Sequence, residues 1–341
     1  MNRSFLALVL AAGKSTRFKS EGTKLLHPFL GTTLLDQVLD SLFQLKPESV
    51  CLVVGHRRQE IMGRRFRRPV EFVIQSRQRG TAHAVMSAAD VLGRRKGQDV
   101  LVINGDLPLV RPETLRPFLN HHRKRANALT FLVADLDNPT GFGRLVHGKG
   151  GLIRIVEENE ATPSQRKIRE CNLGVYLFRS SDLLEALPMI SADNRKKEYY
   201  LTDIIEIMMR SGRRVELFKT PNSDEFIGVN DRAELALAAD VLRLRKNRAL
   251  AESGVTVLDP SSTWIDLNVR IGRDTVIHPS VVIEGGTVIG EKCRIHPFVR
   301  IQRSRLGSGV EVRSGSLVED SRIKDGERIG PLAVRGYGSS G

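Results

Sequence analysis

Residues 265–301 read IDLNVRIGRDTVIHPSVVIEGGTVIGEKCRIHPFVRI and place an isoleucine at every sixth position: Ile265, Ile271, Ile277, Ile283, Ile289, Ile295 and Ile301. A sustained period of six fits neither the spacing of a helix nor the alternation of a hairpin. It is the mark of hexapeptide β-helix repeats, in which three hexads fold into one triangular coil and stacked coils share a core. After a five-residue step the aliphatics resume at Leu306, Val312 and Val318, and a second such step leads to Ile323 and Ile329. Twelve in-phase positions predict about four coils.

Upstream of this region the pattern changes. Helical spacing from about Arg232 to Ala251 predicts one long helix that connects two domains. Before it, strand-like and helix-like segments alternate: Phe5 to Leu10, Leu34 to Leu45, Val50 to Val54, Phe72 to Gln75, Thr81 to Leu92 and Val100 to Ile103. Such alternation predicts an α/β fold, a largely parallel sheet with helices on both faces. Residues 128–220 mix strands with short helices and include the turn Pro139-Thr140-Gly141-Phe142-Gly143-Arg144. The expected organisation is a catalytic domain at 1–231, a connector helix at 232–254, a short β-helix at 255–335 and a flexible tail at 336–341.

In open parallel sheets, ligands bind beyond the carboxyl ends of the strands. The loop after the first strand is Ala11-Ala12-Gly13-Lys14-Ser15-Thr16-Arg17, with Lys24 shortly beyond. A glycine there lets phosphates approach backbone N–H groups, and Arg17 and Lys24 supply fixed positive charge. Gly13-Lys14-Ser15 is not the end of a Walker A loop, because that motif needs a glycine where this chain has Leu8. Two further strand ends carry unusual residues, Gln75 and Gly105-Asp106.

The net charge of +14 raises the question of nucleic acid. The basic groups are scattered through the chain and accompany no aromatic stacking strand, so they read as a solvated surface with no specific nucleic-acid partner. No apolar run reaches membrane-spanning length, which argues against a membrane partner, and a strand beginning at Phe5 leaves no room for a signal peptide. Cys51, Cys171 and Cys293 are odd in number and widely separated, giving neither a disulfide framework nor a zinc spacing. A cytoplasmic protein with reduced core cysteines is expected.

Taken in order, several motifs resemble one known family. They are Leu10 to Arg17, Lys24-Leu25-Leu26-His27-Pro28, Gln75, Gly80-Thr81-Ala82-His83-Ala84, Asn104-Gly105-Asp106-Leu107-Pro108-Leu109, Val156-Glu157-Glu158, Asn172-Leu173-Gly174, Glu198 to Ile205 and Gly228-Val229-Asn230. Together with the hexapeptide tail they resemble the bacterial bifunctional N-acetylglucosamine-1-phosphate uridyltransferase and glucosamine-1-phosphate acetyltransferase family. The resemblance implies a Rossmann-like nucleotidyltransferase domain followed by a left-handed β-helix, here a shortened form without the acetyltransferase half. The implied reaction gives UDP-N-acetylglucosamine, a peptidoglycan precursor, from UTP and the sugar 1-phosphate.

The same resemblance implies residue roles. Arg17, Lys24 and Asp106 are catalytic; Leu10, Ala11, Ala12, Gly13, Gln75, Gly80 and Thr81 hold the nucleotide. Asn104, Gly105, Gly143, Glu157, Asn172 and Asn230 face the sugar, and Asp106 with Asn230 ligates Mg2+. His27, His56 and His83 carry no metal spacing and read as structural. A homotrimer through the β-helix is a further implication. Leu173 stands where the family has threonine, Asn104 where tyrosine is common and Ala82 where glycine is usual, departures that bear on which sugar is used. The alternatives are another sugar 1-phosphate, such as glucose 1-phosphate, and a catalytically silent scaffold or regulator. Retention of Arg17, Lys24, Asp106 and Asn230 speaks against the latter.

Overall fold

A computed structural model of the chain describes residues 4–336, so most of the tail expected at 336–341 lies outside the described residues. The chain forms two compact units, one running to Leu26 and then from Leu34 to Asp231, the other comprising His27–Thr33 and the chain from Arg232 onward. The short segment His27–Thr33, which the sequence places with the first domain, therefore clusters with the second unit. It is a two-stranded turn whose Leu30 carbonyl accepts from the Leu267 N–H at 3.1 Å. Gly31, at φ +70°, approaches so closely that a Cβ there would lie 2.6 Å from the Asp266 carboxylate.

The first unit is built on a nine-stranded sheet. Its strands are β1 (Phe5–Ala11), β2 (Ser49–Val54), β3 (Glu71–Ile74), β4 (Asp99–Asn104), β5 (Leu129–Asp135), β6 (Gly143–His147), β7 (Ile153–Val156), β8 (Glu170–Arg179) and β9 (Val215–Lys219). Along the sheet the order is β9-β5-β8-β4-β1-β2-β3, with β6 and β7 paired beside β8. β4, β1, β2 and β3 are mutually parallel, and β8 runs antiparallel to both β4 and β5. The helices are α1 (Leu34–Gln44), α2 (Arg58–Met62), α3 (Thr81–Ser87), α4 (Ala89–Gly93), α5 (Pro112–Arg125), α6 (Ser180–Ala186) and α7 (Asp203–Arg210).

The unbroken apolar run of β1 is what a strand covered on both faces requires. Ala7 and Val9 belong to a core with Leu35 of α1 and Phe118 of α5, whereas Leu6 and Leu8 belong to a second core with Val85 of α3 and Ile204 of α7. β2 and β3 lie to one side of β1 and β4 to the other, so the chain reverses its direction of winding between β1 and β4. The crevice of such a sheet opens there, beyond the ends of those two strands.

The helix expected over Thr81 to Leu92 is broken at Ala88, whose φ of −91° and ψ of 10° leave the helical region. One residue earlier the Ser87 hydroxyl donates to the His83 carbonyl at 2.9 Å, a back-bond of the kind that bends helices. At α5 the entry is capped from a distance. The fully buried Glu225 carboxylate accepts from the Arg111 N–H at 3.0 Å, the Thr114 hydroxyl at 3.0 Å and Arg111 Nε at 2.6 Å. This gives acceptors to donors that a helix start leaves unpaired.

The second unit carries α8 (Arg232–Glu252) and then parallel strands stacked on three faces, two of five strands and one of four. The fold is therefore a hexapeptide-repeat β-helix, and Thr256–Val257 and Val334–Arg335 add to the coils beyond the hexads read from sequence. Ile265 stacks on Ile283 and Ile283 on Ile301, eighteen residues apart, with all three side chains inaccessible to solvent. The two five-residue steps shorten later coils, so Ile289 stacks on Leu306 and Ile295 on Val312 without loss of inward phase. Arg303 and Asp320, both near φ +46°, turn the chain at these steps and pair with each other at 2.7 Å. α8 meets the first coil through polar groups: Asn247 Nδ2 donates to the Pro260 and Thr263 carbonyls, and Lys246 Nζ to those of Leu267 and Val269. No helix among the described residues is long and apolar enough to cross a membrane.

Candidate active site

A cavity of about 550 Å³ opens in the first unit where the winding reverses. Its floor is the end of β1 and the loop beyond it, Leu10 to Arg17, and the end of β4, Asn104 to Asp106. The two loops are tied by the Gly105 N–H, which donates to the Leu10 carbonyl at 2.9 Å. A Cβ at Gly105 would lie 3.2 Å from that carbonyl oxygen, which explains the glycine. Gly13 differs: a Cβ there would meet no protein atom within 4 Å, so protein packing does not demand its small size. Ser15, at φ +54°, turns the backbone and leads into the short 3-10 turn Thr16–Phe18 that carries the exposed Arg17.

Lys24 is the buried cation of the site. Its ammonium donates to Asp106 Oδ2 at 2.7 Å, to the Val229 carbonyl at 2.7 Å and to Asn230 Oδ1 at 3.2 Å. Three acceptors match the three protons of the ammonium, which is what a buried lysine needs. The Asp106 and Asn230 oxygens are thus brought to the two sides of one nitrogen, though 124 residues separate them. The Val229 N–H donates to the Asp106 carbonyl at 2.9 Å and holds the two loops together. Glu225 anchors the start of the segment that ends at Asn230.

At one end of the cavity stands Gln75, nearly inaccessible at 3 % exposure, with Gly80 and Thr81 beside it. Gly80 has φ +103°, and a Cβ there would lie 2.4 Å from the Tyr199 carbonyl. The Ala82 N–H donates to that carbonyl at 2.9 Å, and the Leu201 N–H donates to the Thr81 hydroxyl at 3.0 Å. The start of α3 is thereby clamped to residues 199–201.

The cavity also has acidic lining. Glu157 and Glu198 line it together with Tyr200. Burial holds the Glu157 carboxyl above the usual carboxylate range, while the Thr202 hydroxyl, donating at 2.8 Å, opposes that shift. Burial, with the charges of Glu198 and Glu157 behind it, pushes the Tyr200 phenol up to about 12. Asp203 is pushed up to about 6 by burial and then by Glu157 and Glu206, against Arg154.

Among the anticipated residues, Leu10, Ala11, Ala12, Gly13, Arg17, Lys24, Gln75, Gly80, Thr81, Asn104, Asp106, Glu157 and Asn230 all line this one cavity. Gly105, Gly143 and Asn172 do not line it. Gly143 is paired with Asn172 across β6 and β8, and a Cβ on it would lie 2.6 Å from Ile155 and 3.6 Å from the Glu157 carboxylate. Asn172 is buried and donates from Nδ2 to the Tyr176 hydroxyl at 2.7 Å. Leu173 packs in the core beside Cys171 and Val175, so its departure from the family pattern is one of core packing. Asn104 lines the cavity itself. Gln78, Glu198 and Tyr200 also line it and were given no role from sequence, although Glu198 and Tyr200 lie in a quoted motif. Among the described residues no three His, Cys, Asp or Glu side chains form a metal-binding group. Asp106 and Asn230 offer two hard oxygens, which fits a magnesium ion completed by phosphates and water and no protein cage.

Residues 7–201 match the model of the MobA-like NTP transferase domain, and residues 268–303 match the bacterial transferase hexapeptide of six repeats. The chain is 43% identical over 328 residues to the bifunctional protein GlmU of Geobacillus sp. (strain WCH70), covering 96% of this chain and 71% of that protein. It is 41% identical over 329 residues to the bifunctional protein GlmU of Geotalea uraniireducens (strain Rf4), covering 96% and 72%. The same-named protein of Enterococcus faecalis (strain ATCC 700802 / V583) is 40% identical over 328 residues, covering 96% and 71%. Transferase cavity, hexapeptide β-helix and near-complete alignment agree: the chain belongs to the GlmU family and is a nucleotidyltransferase.

Proposed function

We propose that this enzyme transfers the uridylyl group of UTP to N-acetylglucosamine 1-phosphate. An oxygen of the sugar phosphate attacks the α-phosphorus, the bond to the β-phosphate breaks, and UDP-N-acetylglucosamine and pyrophosphate result. The observation that carries the reading is the Lys24 ammonium bridging Asp106 and Asn230 in one cavity that Gln75 and Glu157 also line. The attacking phosphate is already ionised, so the site needs no general base, and positioning with charge neutralisation is the work required. Arg17 and Lys24 offset charge on the triphosphate, and the open space at Gly13 leaves backbone N–H groups accessible to phosphate oxygens. Gln75, Gly80 and Thr81 hold the nucleotide, whereas Glu157 with Asn104 receives sugar hydroxyls and Asn172, Gly143 and Gly105 shape the wall behind them. Asp106 and Asn230 are the residues that would hold Mg2+, which when bound neutralises phosphate charge.

The cytoplasm, with its UTP pool and reducing conditions that suit the buried free thiols of Cys51, Cys171 and Cys293, is the proposed setting. Assembly into a homotrimer through the β-helix is part of the same reading, supported by Phe298 and Leu332, which are 71% and 79% exposed on that unit. Sedimentation equilibrium at three times the 38.0 kDa chain mass is the expected result, and a monomer at all concentrations removes the trimer. The 341 residues are proposed to catalyse uridylyl transfer alone; thiol release from acetyl-CoA with glucosamine 1-phosphate would contradict this.

The deciding assay is magnesium-dependent pyrophosphate release from UTP with N-acetylglucosamine 1-phosphate, beside glucose 1-phosphate and the variant Asp106→Ala. Release with the N-acetylated sugar, lost by at least about a hundredfold in the variant, is the expected result. Release with glucose 1-phosphate alone moves the acceptor, and no release with either sugar leaves a silent scaffold.

A further inference from the structure

We infer that His83 sets the nucleobase preference of this enzyme by fixing the orientation of the Gln75 side-chain amide, so that only a carbonyl oxygen faces the base. The inference rests on the uridylyl-transfer reading of the same cavity. Gln75 Nε2 lies 3.1 Å from the Gly80 carbonyl oxygen, an atom with lone pairs and no proton. The amide atom facing it must therefore be the NH2 group, whichever way the amide is drawn. The second hydrogen of that NH2 points to His83 Nδ1, also at 3.1 Å. For this contact Nδ1 must carry a lone pair, which puts the imidazole proton on Nε2.

Both amide hydrogens are then engaged, and among the described residues no group donates to Gln75 Oε1. Gln75 lines the cavity, so this oxygen is left as a hydrogen-bond acceptor for a ligand. A base edge opposite it must bring an N–H. Where that oxygen faces N3 of a pyrimidine, uracil supplies the N–H, whereas cytosine, whose donor on that edge is the neighbouring N4 amino group, has a lone pair at N3 and is repelled. A protonated imidazole would oppose the arrangement, because an Nδ1–H would face the NH2 group donor to donor and leave the Gly80 carbonyl alone to orient the amide. Burial, and after it the Arg79 guanidinium, hold His83 below the ordinary imidazole range and keep it neutral. His83 touches the reading group and not the base, so it is a positioning residue.

The test compares kcat/KM for UTP and CTP, and UTP and CTP affinities by calorimetry, in the wild type, His83→Leu and His83→Asn. Leucine removes the acceptor, while the asparagine side-chain oxygen can replace Nδ1. The expected result is a UTP preference in the wild type that falls by about tenfold in His83→Leu, chiefly through KM, and is restored in His83→Asn. Should His83→Leu lose its fold by circular dichroism, His83→Ala makes the same comparison. An unchanged UTP-to-CTP ratio in the variant lacking the acceptor overturns the inference, as does a wild type indifferent to the two bases while turning over both. If the wild type binds no nucleotide, the uridylyl-transfer reading falls and the inference with it.

Discussion

Lys24 and Asp203 are charged groups in the interior with different surroundings. The Lys24 ammonium has an acceptor for each of its protons, among them the Asp106 carboxylate. Removing that carboxylate in Asp106→Ala is therefore expected to cost about 1–3 kcal/mol of stability as well as activity, and thermal unfolding of the variant measures the first separately. Among the described residues the Asp203 carboxyl has no hydrogen-bonded or ion-paired partner. Its native carboxyl titrates near 6, driven by burial and then by Glu157 and Glu206, whereas in the unfolded chain it titrates near the ordinary aspartate value of about 4. Between those values the native state binds more protons than the unfolded state, so Asp203's contribution to stability falls as pH rises through this window. Asparagine resembles the protonated acid and does not titrate. The melting temperature of Asp203→Asn relative to wild type is thus expected to be near parity at pH ~3.5, below both values, and to rise by pH ~7. A difference that stays flat or falls over that range contradicts the assignment.

Elements differ in how much of their environment is written locally. The β-helix was legible because an inward aliphatic every six residues is a one-dimensional signal, and even the two short steps after Ile301 and Val318 could be read from it. The loop after β1, Asp106 and Asn230 stood out as strand-end and motif residues, and the fold brings all three to one cavity. The cap on α5 was not, since Glu225 lies 114 residues beyond Arg111 and nothing in either neighbourhood announces the contact. For the same reason the attachment of His27–Thr33 to the second unit and the cavity positions of Gln78 and Glu198 emerged only with the fold. The cap makes a specific demand. Glu225→Ala strands the Arg111 N–H and the Thr114 hydroxyl in the interior and is expected to cost about 3 kcal/mol by chemical denaturation. Glu225→Gln keeps one acceptor oxygen but presents an NH2 to donors, and about half that loss is expected. Equal stability of the alanine variant and the wild type would mean that water replaces the carboxylate and the cap is dispensable.

At the scale of the whole molecule, two units with separate cores are joined in one chain, and the sequence supplies a reporter for only one of them. Its single tryptophan, Trp264, stands in the first coil of the β-helix, with the Arg243 guanidinium 4.9 Å from its ring centre. Tryptophan fluorescence therefore follows the second unit, while activity follows the first. In a solenoid each coil is stabilised by its neighbours, so the same substitution should cost more in the middle than at the end. Ile295 stacks between Ile277 and Val312, whereas among the described residues Ile329 stacks on Val312 alone, and both side chains are buried. Ile295→Ala is expected to lower the stability reported by Trp264 by about 3–4 kcal/mol, the cost of a cavity that cannot collapse from either side. Ile329→Ala removes the same atoms from a position with a stacked strand on one side only and should cost about half as much. Because both variants lose the same methyl and methylene groups, hydrophobic transfer cancels in the comparison and what remains is the stacking of coils. Equal losses at the two positions would show that the β-helix unfolds without regard to the order of its coils, and that the end coil is held as firmly as the centre.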